Sequence, residues 1–332
     1  MAEELTFHFE GALADDHKMN FYEAARFQYA AARLLVKLAQ FRMQGSFVKK
    51  ITNSSNFNIL LEAQESGSFN VRNNSPSPGQ SEKKFVDLTL SDLLSYISER
   101  LIEKGDEGDL IDAIAAHQQL LAEFGGGDGD GDGAIDAEEA DNIVDQIADL
   151  PSLKEGLRGD AREVVERRAA ELARDRRLEA GRSEVSKIDA AREQKLIAMS
   201  APLLGEMATA LRRSANSLEV RARSGGKPST ILYLNKKIAS EIETAKVDRD
   251  ITPILCDITQ YNKETGWGKV KFSNTTTAIS FSIPSDINKR IQPVLIDQMK
   301  KDKVYLQSYF VRDRAGEPIR LIVVGILPTP ID

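Results

Sequence analysis

The sequence predicts an α+β protein with a small antiparallel sheet and a helix first, long helices in the middle and a small β-barrel last. Three observations support this prediction. The first part of the chain mixes alternating segments with one long helical pattern. The middle repeats apolar residues at helical spacing, and the last part consists of short alternating segments between turns. The predicted domains are an α+β unit at 1–87, a helical segment at 88–150, a charged helical hairpin with core helices at 151–245 and a small barrel at 250–329.

The N-terminal unit reads as one helix packed on a small sheet. Residues 5–11 (LTFHFEG) alternate apolar and polar side chains, as a half-buried strand does. Residues 20–42 repeat apolar side chains at helical spacing and predict a long amphipathic helix. The segments 57–63 and 68–73 flank a short polar turn and predict a β-hairpin.

Three helices are expected in the segment 88–150. Thr89 and Asp92 have the spacing of a capping box, so the first helix is expected to begin there. The second helix is predicted over 108–124 and the third over 137–149. A glycine- and aspartate-rich loop separates the last two.

Charge is distributed unevenly along the chain, whose net charge is −7. Residues 103–149 hold 15 acidic side chains and one lysine, whereas the rest of the chain is mildly basic. An acidic segment favours a cation site, and the basic remainder leaves an anionic partner elsewhere open.

The acidic loop has the spacing of a calcium site. A hard cation of this size takes six to eight oxygen ligands at ~2.3–2.6 Å, more than one helix or strand can direct at a point. Counted from the first aspartate, the loop offers oxygens at positions 1, 3, 5, 7, 9 and 12. The candidate ligands are Asp128, Asp130, Asp132, the carbonyl of Ala134, Asp136 and Glu139.

This register resembles the EF-hand family. The resemblance extends to Gly133, which permits the sharp turn, and to Ile135, which provides the apolar eighth position. It implies Ca²⁺ as the cofactor and an EF-hand between the helices of 88–150. The alternative is a low-complexity Gly/Asp linker, which requires neither Ile135 nor Glu139.

Dense charge of both signs dominates the first half of the segment 151–245. Its apolar stripe is thin, and Gly181 predicts a turn. We therefore expect a solvated helical hairpin that projects from the body, followed by a core helix over 196–213.

Five short alternating segments predict the C-terminal barrel. Two of them, ITQYNKETGWGKVKF (258–272) and ISFSIPSDI (279–287), resemble the cold-shock and OB-fold pattern. That resemblance implies stacking of single-stranded bases on exposed aromatic side chains. An alternative is that the tryptophan packs the barrel mouth and the lysines form a solvated face. The possible nucleic-acid contacts are Tyr261, Lys263, Trp267, Lys269 and Lys271.

Catalytic motifs are scarce, so an enzyme is not the favoured interpretation and no catalytic residue is predicted. The sequence has three histidines and one cysteine, and it lacks P-loop, GxSxG, HExxH, GxGxxG and Cys/His zinc spacings. One alternative is a metal-dependent hydrolase built around Asp15, Asp16 and His17. The start of the chain lacks a signal-peptide pattern and no apolar run reaches membrane-spanning length, which predicts a cytoplasmic protein without a membrane partner.

We therefore expect a calcium-binding, non-enzymatic interaction or sensor protein in which the ion orders a helical module. A protein partner or self-association is the expected form of interaction. A single-stranded nucleic-acid binder acting through the barrel, with phage defence as one setting, is a second hypothesis. The chain, with EGALADDHKMN and ESGSFNV in its first unit, is also similar to an uncharacterised bacterial family, which implies architecture without activity.

Overall fold

The computed structural model of the protein describes the larger part of the chain. The described residues are 3–47, 50–52, 59–61, 68–73, 84–102, 104–105, 107–115, 137–149, 156–157, 159–223, 228–244, 246–263, 266–272, 278–312 and 318–328.

Helices and strands are numbered in chain order over these residues. The helices are α1 (Phe21–Gln44), α2 (Leu90–Leu101), α3 (Glu107–Ala115), α4 (Ala137–Asp149), α5 (Gly159–Ala180), α6 (Arg182–Val185), α7 (Ala190–Met207), α8 (Lys236–Thr244) and α9 (Ser285–Gln298). The strands are β1 (Glu3–Glu10), β2 (Ile59–Leu61), β3 (Ser68–Asn73), β4 (Ser217–Arg223), β5 (Ser229–Asn235), β6 (Lys246–Val247), β7 (Thr252–Tyr261), β8 (Trp267–Phe272), β9 (Ala278–Ser282), β10 (Val304–Arg312) and β11 (Pro318–Leu327).

The first sheet has the strand order β2-β3-β1-β4-β5, and every neighbouring pair is antiparallel. Alternation along β1 turns Leu5, Phe7 and Phe9 into the core, where Phe27 of α1 meets the last two rings edge to face at 5.3 and 4.9 Å. The predicted strand, helix and hairpin of the N-terminal unit are therefore confirmed. The sheet is larger than expected, because β4 and β5 join it from far along the chain.

The second sheet closes into a five-stranded barrel. Its order is β7-β8-β9-β11-β10, and β10 pairs again with β7 to complete the circle. The pair β9–β11 is parallel and the other barrel pairs are antiparallel, with α9 placed between β9 and β10. This is the arrangement of a small OB-like barrel. The predicted α+β class, with helices in the middle and a barrel at the end, is confirmed.

Apolar side chains form separate clusters in the body, in the barrel and around α4. The body cluster joins β1, α1, α2, α7, β4 and β5, and it also takes Val311 and Ile322 from the barrel strands. The barrel interior is filled by residues such as Val270, Phe281 and Leu306. The barrel is thus packed against the body and also has its own core.

Helix α5 corrects one expectation. The sequence predicts a solvated hairpin projecting from the body, but α5 packs against α2 and β5, and it buries Val165, Ala170, Glu171 and Arg174. The prediction is wrong because the number of charged residues in a segment does not reveal which of them form ion pairs with other elements. Arg174 donates to Glu99 of α2 at 3.3 Å. Side chains whose charge suggests solvent exposure are therefore buried here as an ion pair. The turn at Gly181 is present, since α5 ends at Ala180.

Two further outcomes concern membranes and domain boundaries. No helix among the described residues is long and apolar enough to cross a membrane. The four domain boundaries stay predictions of the sequence. The pairing of β1 with β4, however, links the first predicted unit directly to the third.

Gly268 on β8 leads to a prediction about the barrel core. A Cβ atom at this position would lie 2.4 Å from the carbonyl oxygen of Gln260 and 2.4 Å from the ring of Phe281. We expect Gly268→Ala to lower the free energy of unfolding of the barrel by roughly 1–3 kcal/mol, because backbone and a packed ring must both move. Urea denaturation followed by the fluorescence of Trp267, the single tryptophan, measures this change.

The neighbouring variant Lys269→Ala is the matched control. Lys269 lies on the same strand with an exposed side chain, so its loss should change the unfolding free energy by less than about 0.5 kcal/mol. Equal urea midpoints for the two variants would contradict the packing argument.

Candidate functional site

The predicted calcium ligands are only partly within the described residues. Of the six, Glu139 is described, and the five loop positions from Asp128 to Asp136 lie outside. Glu139 occupies the first turn of α4 and its side chain is exposed. Helix α4 coincides with the predicted exit helix, and α3 covers the described part of the predicted incoming helix.

The two helices that flank the loop pack on each other and on α5. Their shared apolar cluster is separate from the main core. It contains Leu110 and Ile114 of α3, Ala140, Val144 and Ile147 of α4, Leu157 just before α5, and Val165 of α5. Most of these side chains are almost completely buried, with Ala140 and Val144 at 0% exposure. The described parts of α3 and α4 therefore pack together with α5 as one helical module.

Arg168 of α5 fixes α4 by a bidentate ion pair. Its guanidinium donates to the two carboxylate oxygens of Asp141 at 2.7 and 2.8 Å and to Glu171 at 3.2 Å. Burial lowers the pKa of Arg168, but the hydrogen bonds and charges of Asp141 and Glu171 outweigh it and raise the pKa overall. Planar two-point pairing of this kind sets orientation as well as contact. Helix α4 is thereby held in one rotational position on α5.

The ion pairs continue from α5 towards the core. Glu171 accepts from the backbone N–H of Gly105, at the start of the link to α3, at 2.9 Å. Lys104 lies between Glu99 and Asp175, at 3.2 and 2.8 Å. Burial and the nearby Glu99 raise the pKa of the Asp175 carboxyl, although Lys104 opposes this shift. Charged contacts therefore connect the module to α2 through a short path.

The barrel residues proposed for nucleic acid separate into two groups. Trp267 is only 8% exposed, and the guanidinium of Arg320 lies 4.8 Å from its ring centroid. Arg320 also donates to the carbonyl of Arg100 at the end of α2, so this side of the barrel is covered by the body. Tyr261 stacks on Phe281 with a centroid distance of 6.2 Å. Neither aromatic ring is placed as an open platform.

The lysines of the same surface are exposed. Lys263 follows β7, while Lys269 and Lys271 alternate along β8. Tyr261 has a structural contact of its own, since its hydroxyl donates to Asn288 of α9 at 2.8 Å. The lysines proposed to contact nucleic acid are thus on the surface, whereas Tyr261 packs with the barrel core and Trp267 is covered by Arg320.

The run Asp15, Asp16 and His17 closes a turn. Asp15 accepts from the backbone N–H of Gly11 at 2.7 Å, and His17 ends the short 3-10 helix Ala12–Asp16 in the left-handed region. Within the part of the chain that the structure describes, no cluster of three or more His, Cys, Asp or Glu side chains is placed to hold a metal ion. The hydrolase interpretation gains no support from this turn.

A cleft between α2, α5, α6 and α9 was missed by sequence reasoning. Its volume is about 930 Å³. At its floor, Tyr96 donates to the buried carboxylate of Glu193, and Arg100 lies 3.4 Å from the same group. Burial raises the pKa values of Tyr96 and Glu193, although the charge of Arg100 opposes both shifts. Four acidic and four basic side chains line the cleft, so charge alone selects neither cations nor anions. Residues from four separate helices line the cleft, so no local sequence motif indicates it.

Comparisons of the chain with models of known protein families, with curated proteins and with solved structures found no match. The similarity to the EF-hand family and to a bacterial family therefore remains a prediction from the sequence.

Two aspartates of α4 provide a test of its attachment to α5. Asp141 pairs with Arg168 under partial cover, at 27% and 17% side-chain exposure, whereas Asp145 pairs with Arg176 at 38% and 62%. We expect Asp141→Asn to lower the free energy of unfolding of the module by about 1–2 kcal/mol, because the mostly buried guanidinium of Arg168 loses a charged partner. Hydrogen exchange of the backbone amides of 137–149 should then accelerate.

Asp145→Asn is the matched control, since it makes the same chemical change one turn away. An exposed pair of this kind contributes ~0.2–1 kcal/mol, so exchange should change little. Similar acceleration in the two variants would show that the bidentate pair has no special role.

Proposed function

We propose that the protein is a calcium-binding, non-enzymatic interaction or sensor protein in which the ion orders the module of α3, α4 and α5. The observation that carries the proposal is the position of Glu139. The twelfth position of the loop register falls in the first turn of α4, with an exposed carboxylate. An EF-hand uses this position to supply two oxygens from the start of its exit helix.

Packing and charge support the same proposal. Helices α3 and α4 share one apolar cluster, as the two helices of a helix–loop–helix unit must. Without an ion, the acidic side chains of the loop repel one another, and a bound cation removes this repulsion. Because α4 is held on α5 by Arg168, ordering of the loop would set the angle of α3 against a fixed helix. A cytoplasmic location and a bacterial origin belong to this proposal as expectations.

The expected affinity is weak. The sequence contains no second loop with this spacing with which the first could pair. Gly125, Gly126 and Gly127 also separate the predicted incoming helix from the loop, and glycine disfavours helix. We therefore expect a dissociation constant of roughly 10⁻⁵–10⁻³ M. If calcium binds only the folded protein, a concentration of about 100 times this constant should stabilise it by ~2.7 kcal/mol.

Glu139→Gln tests the site directly. We expect calcium affinity to fall by about tenfold or more, or ~1.4 kcal/mol, because the variant loses the charge of the bidentate ligand while keeping the loop length. Isothermal titration calorimetry measures the affinity, and the melting temperature with and without calcium measures the stabilisation.

Glu138→Gln is the control. Glu138 is the preceding residue in the same helical turn, is also exposed and loses the same charge. Its effect should stay within about twofold, because only screened long-range attraction is lost. Absence of heat with millimolar calcium, together with an unchanged melting temperature of the parent protein, would mean that the loop is a spacer.

The second candidate function is single-stranded nucleic-acid binding through the barrel. The observation that favours it is the exposure of Lys269 and Lys271 on β8, the second strand of the OB-like order. The second and third strands of such barrels carry their oligonucleotide surface. With Trp267 covered, we expect phosphate contacts to dominate any such binding.

The salt dependence of oligonucleotide binding tests this candidate. Each phosphate contact to a single strand contributes about −0.7 to the slope of log K against log salt, so Lys269→Gln with Lys271→Gln should reduce the slope by about 1.4. The double change Lys300→Gln with Lys301→Gln, at exposed lysines after α9, should leave it unaltered. The proposed surface would be excluded if the protein did not bind the oligonucleotide at low salt. It would also be excluded if the two double substitutions weakened binding equally.

A further inference from the structure

Helix α1 has apolar side chains on two faces, and one of these faces is open. The inner face is buried in the main core through residues such as Phe27, Ala30 and Leu34. The outer face carries Phe21, Tyr22 and Tyr29, which are 90%, 66% and 61% exposed. These are the three highest exposures of large apolar side chains among the described residues. A helix that is apolar on both sides is normally covered on both.

The outer face is continuous and uncharged. It runs along the helix at i, i+4, i+7 and i+11 as Phe21, Ala25, Gln28 and Ala32, with Tyr29 beside it. Ala25 and Ala32 are exposed and Gln28 is half-buried. Contiguous aromatic exposure of this kind marks an interaction surface more often than scattered single residues do.

Arginines on one side of this face hold its tyrosines in place. The guanidinium groups of Arg26 and Arg33 lie 5.8 and 5.3 Å from the ring centroids of Tyr22 and Tyr29. Both arginines also pair with Glu206 of α7, at 3.1 and 3.8 Å. The two tyrosines are therefore oriented before any partner arrives, which reduces the entropy cost of association.

We propose that this face of α1 binds the same face of a second copy of the chain, with the two helices antiparallel about a two-fold axis. In that arrangement the axis passes between residues 26 and 27. Phe21 then meets Ala32 of the other copy and Ala25 meets Gln28, so a large side chain faces a small one at each end of the contact. A two-fold interface repeats each of these contacts twice.

Charge and area support a second copy as the occupant. The face itself is neutral, so it gives no attraction to a strongly acidic or basic partner, and Glu206 compensates part of the arginine charge at its edge. At their observed exposures, three aromatic side chains supply roughly 400 Å² of area per partner. This is about half the ~800 Å² per partner of a standard stable interface. The dimer is therefore reversible and forms in the micromolar range or above.

Sedimentation velocity over about 1–100 μM protein tests the proposal. Phe21→Asp should raise the dimer dissociation constant by about tenfold or more, because it removes an aromatic anchor twice in each dimer. The variant folds, since Phe21 is 90% exposed and an acidic residue suits the first turn of a helix. Val294→Asp on α9, where the side chain is 48% exposed, is the matched control and should leave the constant unchanged.

Disulfide trapping tests the antiparallel arrangement. The native Cys256 is buried and does not compete. Phe21→Cys protein mixed with Ala32→Cys protein should form a mixed disulfide, whereas Phe21→Cys alone should not, because its two copies would lie roughly 16 Å apart along the helices. Salt should not weaken the dimer, since no ion pair crosses the proposed contact.

Several results would overturn the proposal. A protein that stays monomeric at the highest concentration would assign the face to a partner of other chemistry. A dimer that Phe21→Asp leaves intact would place the contact elsewhere. A Phe21→Cys homodisulfide without the mixed product would mean parallel helices.

Discussion

The architecture depends on the neutralisation of one highly charged helix. Helix α5 lies between the sheet, α2 and α4, and it carries arginines and glutamates at positions that face all three. Arg162 pairs with Glu10 of β1, Arg177 with Asp92 of α2, and Arg168 with Asp141 of α4. Removing one partner from a covered pair leaves an uncompensated charge, whereas a complete set is tolerated. The position of α5 is therefore specified by its charged partners together with its buried apolar side chains, Val165 and Ala170.

This mode of attachment has a consequence for the proposed calcium module. Apolar contacts alone permit small sliding of one helix on another, because they have little direction. The bidentate contact of Arg168 with Asp141 does not permit it, since both guanidinium distances must be kept. In the proposed module, α4 is the helix that a bidentate ion pair orients on α5, while the approach to α3 is tied to α5 by the backbone contact of Gly105 with Glu171.

Much of the local structure could be predicted from the sequence, and the exceptions have physical causes. Thr89 and Asp92 form the predicted capping box, because that interaction is complete within four residues. The barrel strands follow from alternation and turns for the same reason. Strand β4 was missed although SLEVRAR alternates, since its pairing with β1 lies beyond any local pattern. Phe21 fits the helical period of α1 and yet faces outward, because periodicity cannot distinguish two apolar faces. A packed Trp267 was one alternative from the sequence, but its cover by Arg320 and the contact of Arg320 with the end of α2 were not predictable, because these residues are distant along the chain.

The central position of β1 in its sheet has a consequence for synthesis of the chain on the ribosome. Phe7 pairs with Val220, which is 213 residues further along, so the strand waits for most of the chain before its second edge is covered. At translation rates of about 5–20 residues per second, this delay is roughly 10–40 s. During that time the nascent chain exposes an unpaired strand edge together with the apolar face of α1 that packs against α7, which is synthesised later. Pairing with β3 covers one edge of β1 early, and the edge that awaits β4 favours protection of the nascent chain by a chaperone.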